Sequence, residues 1–411
     1  MKNPTPPTNP PTPTALGAMQ EPTSVLSALT LPGPLRSFDF LGRQKLARGA
    51  PLRDLNSEYA RIHRSHFKFK SLSCWAYNIS IGCRHACRFC YVSTSQRSRK
   101  GAVEESNAPV SRILREFGVL DPEAEWGDYV VFRPWDEKKF LASLRTAEAA
   151  SDLKPDGNRA VLLSSSCDPY QTISIPNDPQ RQKVLNGLGR YLVRRALELI
   201  LKHSTINVRI LTRSPLAKQD FDLYKAFGDR LMFGMSLPTL NDQLARIYEP
   251  KAPSPSRRLA TLQAASAAGL NVYVAMAPTY PECDEADLQR TLTAIADVKP
   301  MTIFHEPINI RGANVSRIAE HAESLGRQFD RTVFDNGTNW RRYAVAQLLT
   351  VQKEATRLGL KDRLHLWPDK ALKAKGPFFA AREAEYARAK QLSETAFERI
   401  SEWPSSAKEK Q

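Results

Sequence analysis

Three cysteines lie close together in the segment from Cys83 to Tyr91, which reads CRHACRFCY. Cysteine thiolates are the usual protein ligands of iron–sulfur clusters. Three of them on one short loop can each bind one iron of a four-iron, four-sulfur (4Fe-4S) cluster. The fourth iron is then left without a protein ligand and is open to an incoming molecule. The C-x3-C-x2-C spacing therefore predicts Cys83, Cys87 and Cys90 as metal ligands at a site of chemistry.

Zinc is the alternative metal for these three cysteines, because zinc takes mixed sets of thiolate and imidazole ligands. His85 or His66 would complete such a site. Zinc sites usually use two separated pairs of ligands, however, and the sequence has no second C-x2-C pair. The pattern favours the iron–sulfur cluster.

The elements that must position this loop follow from the strand and helix pattern. An extended run at 74–81 leads into the loop, and short apolar strands alternating with helices come after it. This alternation predicts six parallel strands, joined by helical crossovers, in an α/β partial (β/α)6 barrel. The loop would then lie at the carboxyl ends of the strands, where functional loops converge in such folds. The later strands are predicted at 160–167, 206–212, 231–239, 270–278 and 301–308.

The two ends of the chain differ from this core. Residues 1–35 are rich in proline and predict a disordered tail, because proline removes amide donors and fixes φ. Residues 36–69 form a basic segment, and the barrel core is expected from 70 to 330. Residues 331–411 are expected to form a helical extension, with two amphipathic helices around LHLWP at 364–368.

Three further stretches carry a family resemblance beside the cysteines. They are SSSCDPYQ at 164–171, LTRSPLAKQD at 211–220, and Glu249-Pro250 followed by Arg258-Leu259. With Phe89 before the third cysteine, they resemble the spore photoproduct lyase-like branch of radical S-adenosylmethionine (SAM) enzymes. The resemblance implies a 4Fe-4S cluster that cleaves SAM to a 5′-deoxyadenosyl radical, which abstracts hydrogen from a substrate. It also implies a reducing partner such as flavodoxin or ferredoxin.

Polar and apolar side chains near the predicted strand ends suit the parts of SAM. Hydroxyl oxygens can accept from its ammonium, and a guanidinium can pair with its carboxylate in two parallel hydrogen bonds. The competing interpretation for the serines and the arginine is helix capping or surface solvation. The predicted SAM contacts are Ser164, Ser165 and Ser166 for the ammonium, Ser236 for the ribose or carboxylate, Arg258 or its neighbour Arg257 for the carboxylate, and Phe89 with Ala277-Pro278 for the adenine.

Two candidate catalytic residues come from the resemblance. In spore photoproduct lyase a cysteine at the barrel mouth donates a hydrogen atom, and tyrosines flank the third cluster cysteine. Cys167 and Tyr91 match those roles here, although Phe89 has no hydroxyl and stands where the second tyrosine would be. A small buried residue substituting for threonine is the other interpretation of Cys167.

Charge and hydropathy limit the partners. The formal net charge is +16, from 59 Lys and Arg against 43 Asp and Glu, which favours a polyanion such as nucleic acid. No apolar run approaches the roughly 20 residues that cross a bilayer, and no secretion signal is recognisable. Six cysteines, three of them clustered, do not form a disulfide scaffold and suit a reducing cytoplasm, which is the expected location. The lead hypothesis is radical chemistry on nucleic acid, as in lesion repair or modification. The same chemistry on a peptide, nucleoside or small metabolite, and a zinc-stabilised nucleic-acid-binding module, are the alternatives.

Overall fold

The structure is a computed structural model that describes residues 59–65, 73–95, 109–150, 159–163, 165–367, 369 and 372. Several sequence-based predictions therefore lie outside the described residues: the tail at 1–35, Ser164, His66, and any helix after residue 372. Within the described ranges, no helix combines the length and the apolar character that crossing a bilayer requires.

Strands and helices alternate through most of the described chain. The strands are β1 Ile62–Arg64, β2 Trp75–Tyr77, β3 Ser80–Ile81, β4 Val131–Phe132, β5 Ala160–Leu163, β6 Asn207–Thr212, β7 Leu231–Ser236, β8 Val272–Thr279, β9 Thr302–Pro307 and β10 Leu364–Leu366. The α-helices are α1 Val92–Ser95, α2 Pro109–Glu116, α3 Glu137–Glu148, α4 Pro179–His203, α5 Phe221–Ala226, α6 Asp242–Tyr248, α7 Pro255–Ala267, α8 Glu285–Asp297, α9 Asn314–Ser324 and α10 Gly337–Arg357.

Local sequence signals explain where the crossover helices begin. Asp136 precedes α3, and its carboxylate accepts a hydrogen bond from the Lys139 amide at 3.0 Å. Asp178 caps α4 in the same way, and Pro179 occupies the first turn, where no amide hydrogen is needed. These caps satisfy amides that a helix leaves unbonded at its start.

One sheet organises the molecule. Its strand order is β1-β2-β5-β6-β7-β8-β9-β10, with β1 antiparallel to β2 and all other neighbours parallel. The parallel strands and their helices form a partial (β/α) barrel with β1 and β10 at its two edges. The predicted fold class is confirmed, since β2 and β5 to β9 are the six expected parallel strands.

Two local features differ from the expectation. The run at 74–81 is divided into β2 and β3, because Ser80–Ile81 turns aside to pair with Val131–Phe132 of β4 in a separate small sheet. At the other edge, Leu364–Leu366 forms a seventh parallel strand beside β9. The expected helix before it is present as α10, whereas the domain boundaries at 70 and 330 stay a prediction.

The central parallel strands, such as β5 and β7, bury both of their faces. Side chains alternate across a strand, so Val161 and Leu163 pack in the main core with helix residues such as Leu192. Leu162 faces the opposite way, into a smaller apolar cluster that consists of strand residues and one residue after β10: Leu162, Met232, Tyr273, Phe304 and Trp367. This inner cluster fills the barrel below the strand ends, so the candidate site lies above it.

Candidate active site

The cluster loop, residues 83–90, follows β3 and forms two tight turns. The Ala86 amide donates to the Cys83 carbonyl oxygen at 3.3 Å, and the Cys90 amide donates to that of Cys87 at 3.1 Å. Each turn therefore begins or ends at a predicted ligand, which gives the three thiols a fixed backbone frame.

Close backbone packing determines the shape of this loop. Gly82 enters it with φ of 85°, and Ala86 at its centre has φ of 56°, which is unusual for a residue with a side chain. Gly127 lies against Ala86, and a Cβ added to Gly127 would stand 2.2 Å from the Ala86 Cβ. Only glycine allows this approach, so the 126–129 turn acts as a support beneath the loop.

The Asp-Pro-Tyr-Gln motif after β5 holds the loop from a second side. The Gln171 side-chain oxygen accepts from the Arg84 amide at 2.7 Å, and its nitrogen donates to the Ser80 hydroxyl at 3.0 Å. One buried glutamine thus ties the loop to the strand that precedes it.

The end of α6 holds the loop from a third side. The Arg88 amide donates to the Tyr248 carbonyl at 2.8 Å, and the Lys251 amide donates to the His85 carbonyl at 3.2 Å. Backbone bonds run in both directions between these segments, so the loop is fixed independently of any side-chain rotamer.

The three cysteines are free thiols in a largely buried setting. Cys83 and Cys87 are buried, and Cys90 is partly exposed. Burial raises the pKa of all three, that of Cys87 to about 12 although Arg213 acts in the opposite direction. Thiols held neutral in this way must lose protons when they bind a metal, so cofactor uptake releases protons.

The donor set fits an iron–sulfur cluster. The Val92 and Ser93 amides at the start of α1 point at the Cys90 sulfur, and hydrogen bonds to sulfur are a feature of cluster sites. Among the described residues, no three Cys, His, Asp or Glu side chains gather closely enough to hold a single metal ion. A four-iron cluster instead takes each thiolate on a different iron.

Asp168 connects the loop to the third parallel strand of the barrel. Its Oδ2 lies 3.1 Å from His85 Nε2 and accepts from the Arg213 amide at 2.8 Å. Its Oδ1 accepts from the Thr212 hydroxyl at 2.7 Å. Burial would raise the pKa of Asp168, but His85 and these hydrogen bonds lower it below its ordinary value. The carboxylate therefore stays ionised and positions both segments.

Glu249 extends this buried network to the fourth parallel strand. Its side chain is fully buried and accepts from Arg213 Nε at 2.6 Å and from the Arg258 guanidinium. Burial would raise the pKa of Glu249, but Arg258 and Arg213 lower it. Arg258 also donates to the Pro253 carbonyl at 2.7 Å.

All three guanidinium nitrogens of Arg258 therefore bond to partners within the protein. Arg258 is fully buried, and its remaining terminal nitrogen donates to the Ser236 carbonyl at 3.2 Å. The motif of Glu249-Pro250 followed by Arg258-Leu259 did not indicate that Glu249 and Arg258 form an ion pair with each other. The predicted contact between Arg258 and the SAM carboxylate stays a prediction, and an internal ion pair is what this structure contains.

Two of the predicted serines, Ser165 and Ser166, bond to Asn78, for which the sequence pattern predicted no role. Asn78 donates to the Ser165 hydroxyl at 2.8 Å and accepts from the Ser166 amide at 2.9 Å. Ser236 is buried and its hydroxyl donates to the Ala277 carbonyl at 3.1 Å. Asn78 follows β2 directly, and its position at a strand end was the available signal.

Aromatic rings line the space beside the third cysteine. The Phe89 ring lies 6.0 Å from the Tyr280 ring and 5.6 Å from the Arg213 guanidinium carbon. Tyr280 stacks on Tyr248 at 3.8 Å with nearly parallel planes. In the described part of the chain, the buried Tyr280 hydroxyl has no hydrogen-bond partner. The assignment of Phe89 to the adenine stays a prediction.

The two candidate catalytic residues have opposite environments. Cys167 is buried, its sulfur lies 3.9 Å from Asn78 Oδ1, and burial raises the pKa of its thiol. Tyr91 is 48% exposed, with Glu306 and Arg311 as charged neighbours. Both catalytic assignments stay predictions.

Two other strand-end residues point into the core. The Tyr170 hydroxyl donates to Asp220 at 3.0 Å and contacts the Tyr224 hydroxyl. His305 is fully buried with Nε2 3.0 Å from the Thr279 hydroxyl, and burial lowers its pKa to about 3.

The sequence of this chain is similar to those of other proteins. No protein-family model matches the chain. The uncharacterized protein ORF301 of Acidianus two-tailed virus is 33% identical over 258 residues, which cover 61% of this chain and 71% of that protein. The uncharacterized protein MJ0683 of Methanocaldococcus jannaschii is 23% identical over 281 residues, which cover 67% of this chain and 85% of that protein.

Among solved structures, the chain is similar to spore photoproduct lyase complexed with dinucleoside spore photoproduct. The TM-score is 0.51 at 12% identity, and the match covers 75% of this chain and 80% of that chain. At this level of identity the likeness concerns the fold, including the sheet whose strand ends carry the cluster loop.

Proposed function

This chain belongs to the same family as the viral protein ORF301 and has the radical SAM fold of spore photoproduct lyase, and from this we propose that it is a radical SAM enzyme. The observation that carries the proposal is the C-x3-C-x2-C loop at the strand ends of that fold, held in shape from three sides. When bound, the cluster would supply the electron that cleaves SAM to methionine and a 5′-deoxyadenosyl radical.

The residues around the loop have distinct tasks in this proposal. Cys83, Cys87 and Cys90 hold the cluster, and their pKa values require that they release protons as they bind it. Gln171 and Asp168 orient the loop through the Arg84 amide and His85. Preorganised ligands and supports of this kind reduce the cost of placing a cofactor.

Arg213 is a better candidate than Arg258 for the SAM carboxylate. Its side chain is 19% exposed, whereas that of Arg258 is 1% exposed. Arg213 Nε donates to Glu249, and in the described part of the chain its two terminal nitrogens form no hydrogen bond. Those nitrogens are available for a bidentate carboxylate contact beside Cys87 and Phe89.

Anaerobic reconstitution tests the cluster assignment. The wild-type chain should bind about four iron and four sulfide ions and form 5′-deoxyadenosine from SAM when dithionite is added. The Cys87→Ala variant should lose the iron and the product. The matched control is Cys74→Ala, which removes a buried cysteine outside the loop and should keep both. Iron retained by Cys87→Ala, or colourless wild-type protein with one zinc ion, would contradict the proposal.

Nucleic acid is the proposed substrate class. A formal charge of +16 supports it, as does the fold shared with an enzyme solved in complex with a dinucleoside photoproduct. Binding of a DNA or RNA oligonucleotide should weaken steeply with salt, because phosphate contacts release counterions. The oligonucleotide should also stimulate 5′-deoxyadenosine formation. Stimulation by a peptide or nucleoside, with no effect of the oligonucleotide, would instead assign a smaller substrate.

A further inference from the structure

A buried cation lies beside the third cluster cysteine, and it comes from α9 rather than from the loop. Arg317 is 7% exposed and belongs to the face of α9 that packs inward with Ile318 and Ala322. Its Nη2 donates to the Cys90 carbonyl oxygen at 2.9 Å. Burying a charge is costly unless a partner compensates for it, so an arginine at this point of an inward face requires such a partner.

The protein itself satisfies only part of this guanidinium. Nη2 of Arg317 lies 3.8 Å from Glu123 Oε1. That oxygen also accepts from the Thr94 hydroxyl at 3.0 Å and from the Ala313 amide at 2.7 Å. Within the described ranges, the buried Nε and Nη1 of Arg317 have no hydrogen-bond partner. The positive charge beside Cys90 is therefore only partly compensated.

The charge of Arg317 acts on the Cys90 sulfur. Burial raises the pKa of the Cys90 thiol, whereas the Val92 amide and then the Arg317 charge lower it. The interaction is mutual, because burial lowers the pKa of Arg317 while Glu123 and Cys90 raise it. Arginine keeps its proton in proteins, so the guanidinium stays positive. A cation in a dry setting interacts strongly with nearby negative charge, because little water screens the pair.

Arg213 provides a comparison within the same site. It also acts on Cys90, but its Nε lies 2.6 Å from Glu249, whose carboxylate is fully buried. The carboxylate contact of Arg317 is longer, at 3.8 Å from Glu123. The charge of Arg317 is therefore the less neutralised of the two.

We propose that Arg317 sets the reduction potential of the 4Fe-4S cluster held by Cys83, Cys87 and Cys90. The inference rests on the proposed function, because it assigns a role toward the same cluster. Reduction adds one electron from an external one-electron reductant, while no bond forms or breaks and no proton moves. The buried guanidinium stabilises the added negative charge and makes the cluster easier to reduce. Net charge, hydrogen bonds and solvent exposure are the factors that tune cluster potentials.

Charge removal tests this role on the reconstituted protein. Arg317→Gln keeps a polar side chain that can donate to the Cys90 carbonyl, but it removes the charge. The midpoint potential is measured from the EPR signal of the reduced cluster during an anaerobic titration with dithionite. It should fall so that reduction becomes about tenfold less favourable, which is about 59 mV for one electron. Arg317→Lys keeps the charge and should restore most of the potential.

Two further variants separate charge from structure. Arg327→Gln is the matched control, because it removes an exposed positive charge beyond the end of α9 and should leave the potential unchanged. Glu123→Gln removes the negative charge on the other side of Arg317 and should raise the potential, which is the opposite direction. A contact that only holds α9 against the loop predicts no such opposite shifts.

Iron content is measured on the same samples, so that each outcome has a defined meaning. A wild-type potential in Arg317→Gln with a full cluster would overturn the inference and leave the proposed function standing. Loss of iron in both Arg317→Gln and Arg317→Lys, or shifts of the same sign in Arg317→Gln and Glu123→Gln, would make Arg317 structural and also overturn it. Wild-type protein that binds no iron would overturn the proposed function, and the inference with it.

Discussion

The two sides of the strand-end surface are built differently. On the cofactor side, at the ends of β3, β5, β6 and β7, the carboxylates of Asp168 and Glu249 are buried and bonded to cationic partners. On the open side, Tyr91 directly after the cluster loop is 48% exposed, with Glu306 and Arg311 as charged neighbours. Arg311 is 52% exposed and pairs with Asp369. The cofactor side is thus fixed by its own bonds before anything binds. On the open side, the Tyr91 and Arg311 side chains are half exposed and are held by fewer bonds.

Glu249→Gln is the strongest test of the fixed side. Removing the charge leaves Arg213 and Arg258 without their buried partner, so the free energy of unfolding should fall by about 3–5 kcal/mol. Urea denaturation of the metal-free protein measures this. Glu285→Gln is the control, because its carboxylate is 62% exposed beside Lys353 and its pair contributes at most about 1 kcal/mol. Equal effects of the two variants would show that buried charge does not fix the cofactor side.

Gly127→Ala tests the support beneath the loop. The new Cβ would collide with Ala86, and φ of 98° is strained for alanine, so the loss should be about 2–4 kcal/mol. Iron content after reconstitution should fall with it. Gly118→Ala has a similar positive φ of 75° but open space around it, so it should cost only about 1–2 kcal/mol and keep the iron. Normal iron content in Gly127→Ala would show that the loop does not need this support.

Acid titration should distinguish the buried His305 from the buried carboxylates of the cofactor side. His305 on β9 is neutral in the folded protein down to about pH 3, whereas the unfolded chain is protonated below its ordinary pKa of 6.5. Acidification therefore favours unfolding, by about 2–3 kcal/mol between about pH 6.5 and 4.5. Asp168 and Glu249 have lowered pKa values, so the stability that they contribute is lost only at lower pH, as they protonate in the folded state.

The variant His305→Gln isolates the first of these two transitions. Unfolding free energies measured from pH 7 to pH 3 should have a much smaller slope above about pH 4.5 in this variant, with His321, whose pKa burial also lowers, contributing the remainder. The carboxylate-dependent loss below that range should remain. An unchanged slope above that pH would mean that other groups cause it.

The smallest effect is expected on the open side. Tyr91→Phe should change the free energy of unfolding by less than about 0.5 kcal/mol, because the side chain is half exposed. Tyr170→Phe makes the same chemical change in the core, where the hydroxyl bonds to Asp220, and should cost about 1–3 kcal/mol. A large thermal destabilisation by Tyr91→Phe would mean that the open side is as tightly built as the other.

The order of strands and helices and the position of the cluster loop could both be predicted from the sequence. Parallel strands joined by helices bring strand ends to one edge, so the loop after the first strand had to lie there. Strand β10 and the division of the first strand depended on long-range pairing, which periodicity does not encode. Leu364–Leu366 becomes a strand because β9 offers an open edge.

The supporting network was less visible in the sequence. Asp168, Arg213 and Glu249 belong to the three motifs that carry the family resemblance, but their mutual bonds join segments far apart in the chain. Arg258 was assigned to the cofactor because an arginine in a motif suggests a ligand contact. Its burial against Glu249 depends on how α7 packs, and a single sequence does not report that.

The backbone hydrogen bonds that join Arg88 to Tyr248 and Lys251 to His85 affect how the protein would respond if the proposed cluster were lost to oxygen. The entropy of shaping the loop is lost when the chain folds, so it is not lost again when iron and sulfide arrive. If the proposed cluster were removed by oxygen, the loop that holds its three cysteines would keep its shape, because its backbone bonds do not involve the cluster. Restoring the site would then require only new iron and sulfide, and no refolding of the chain.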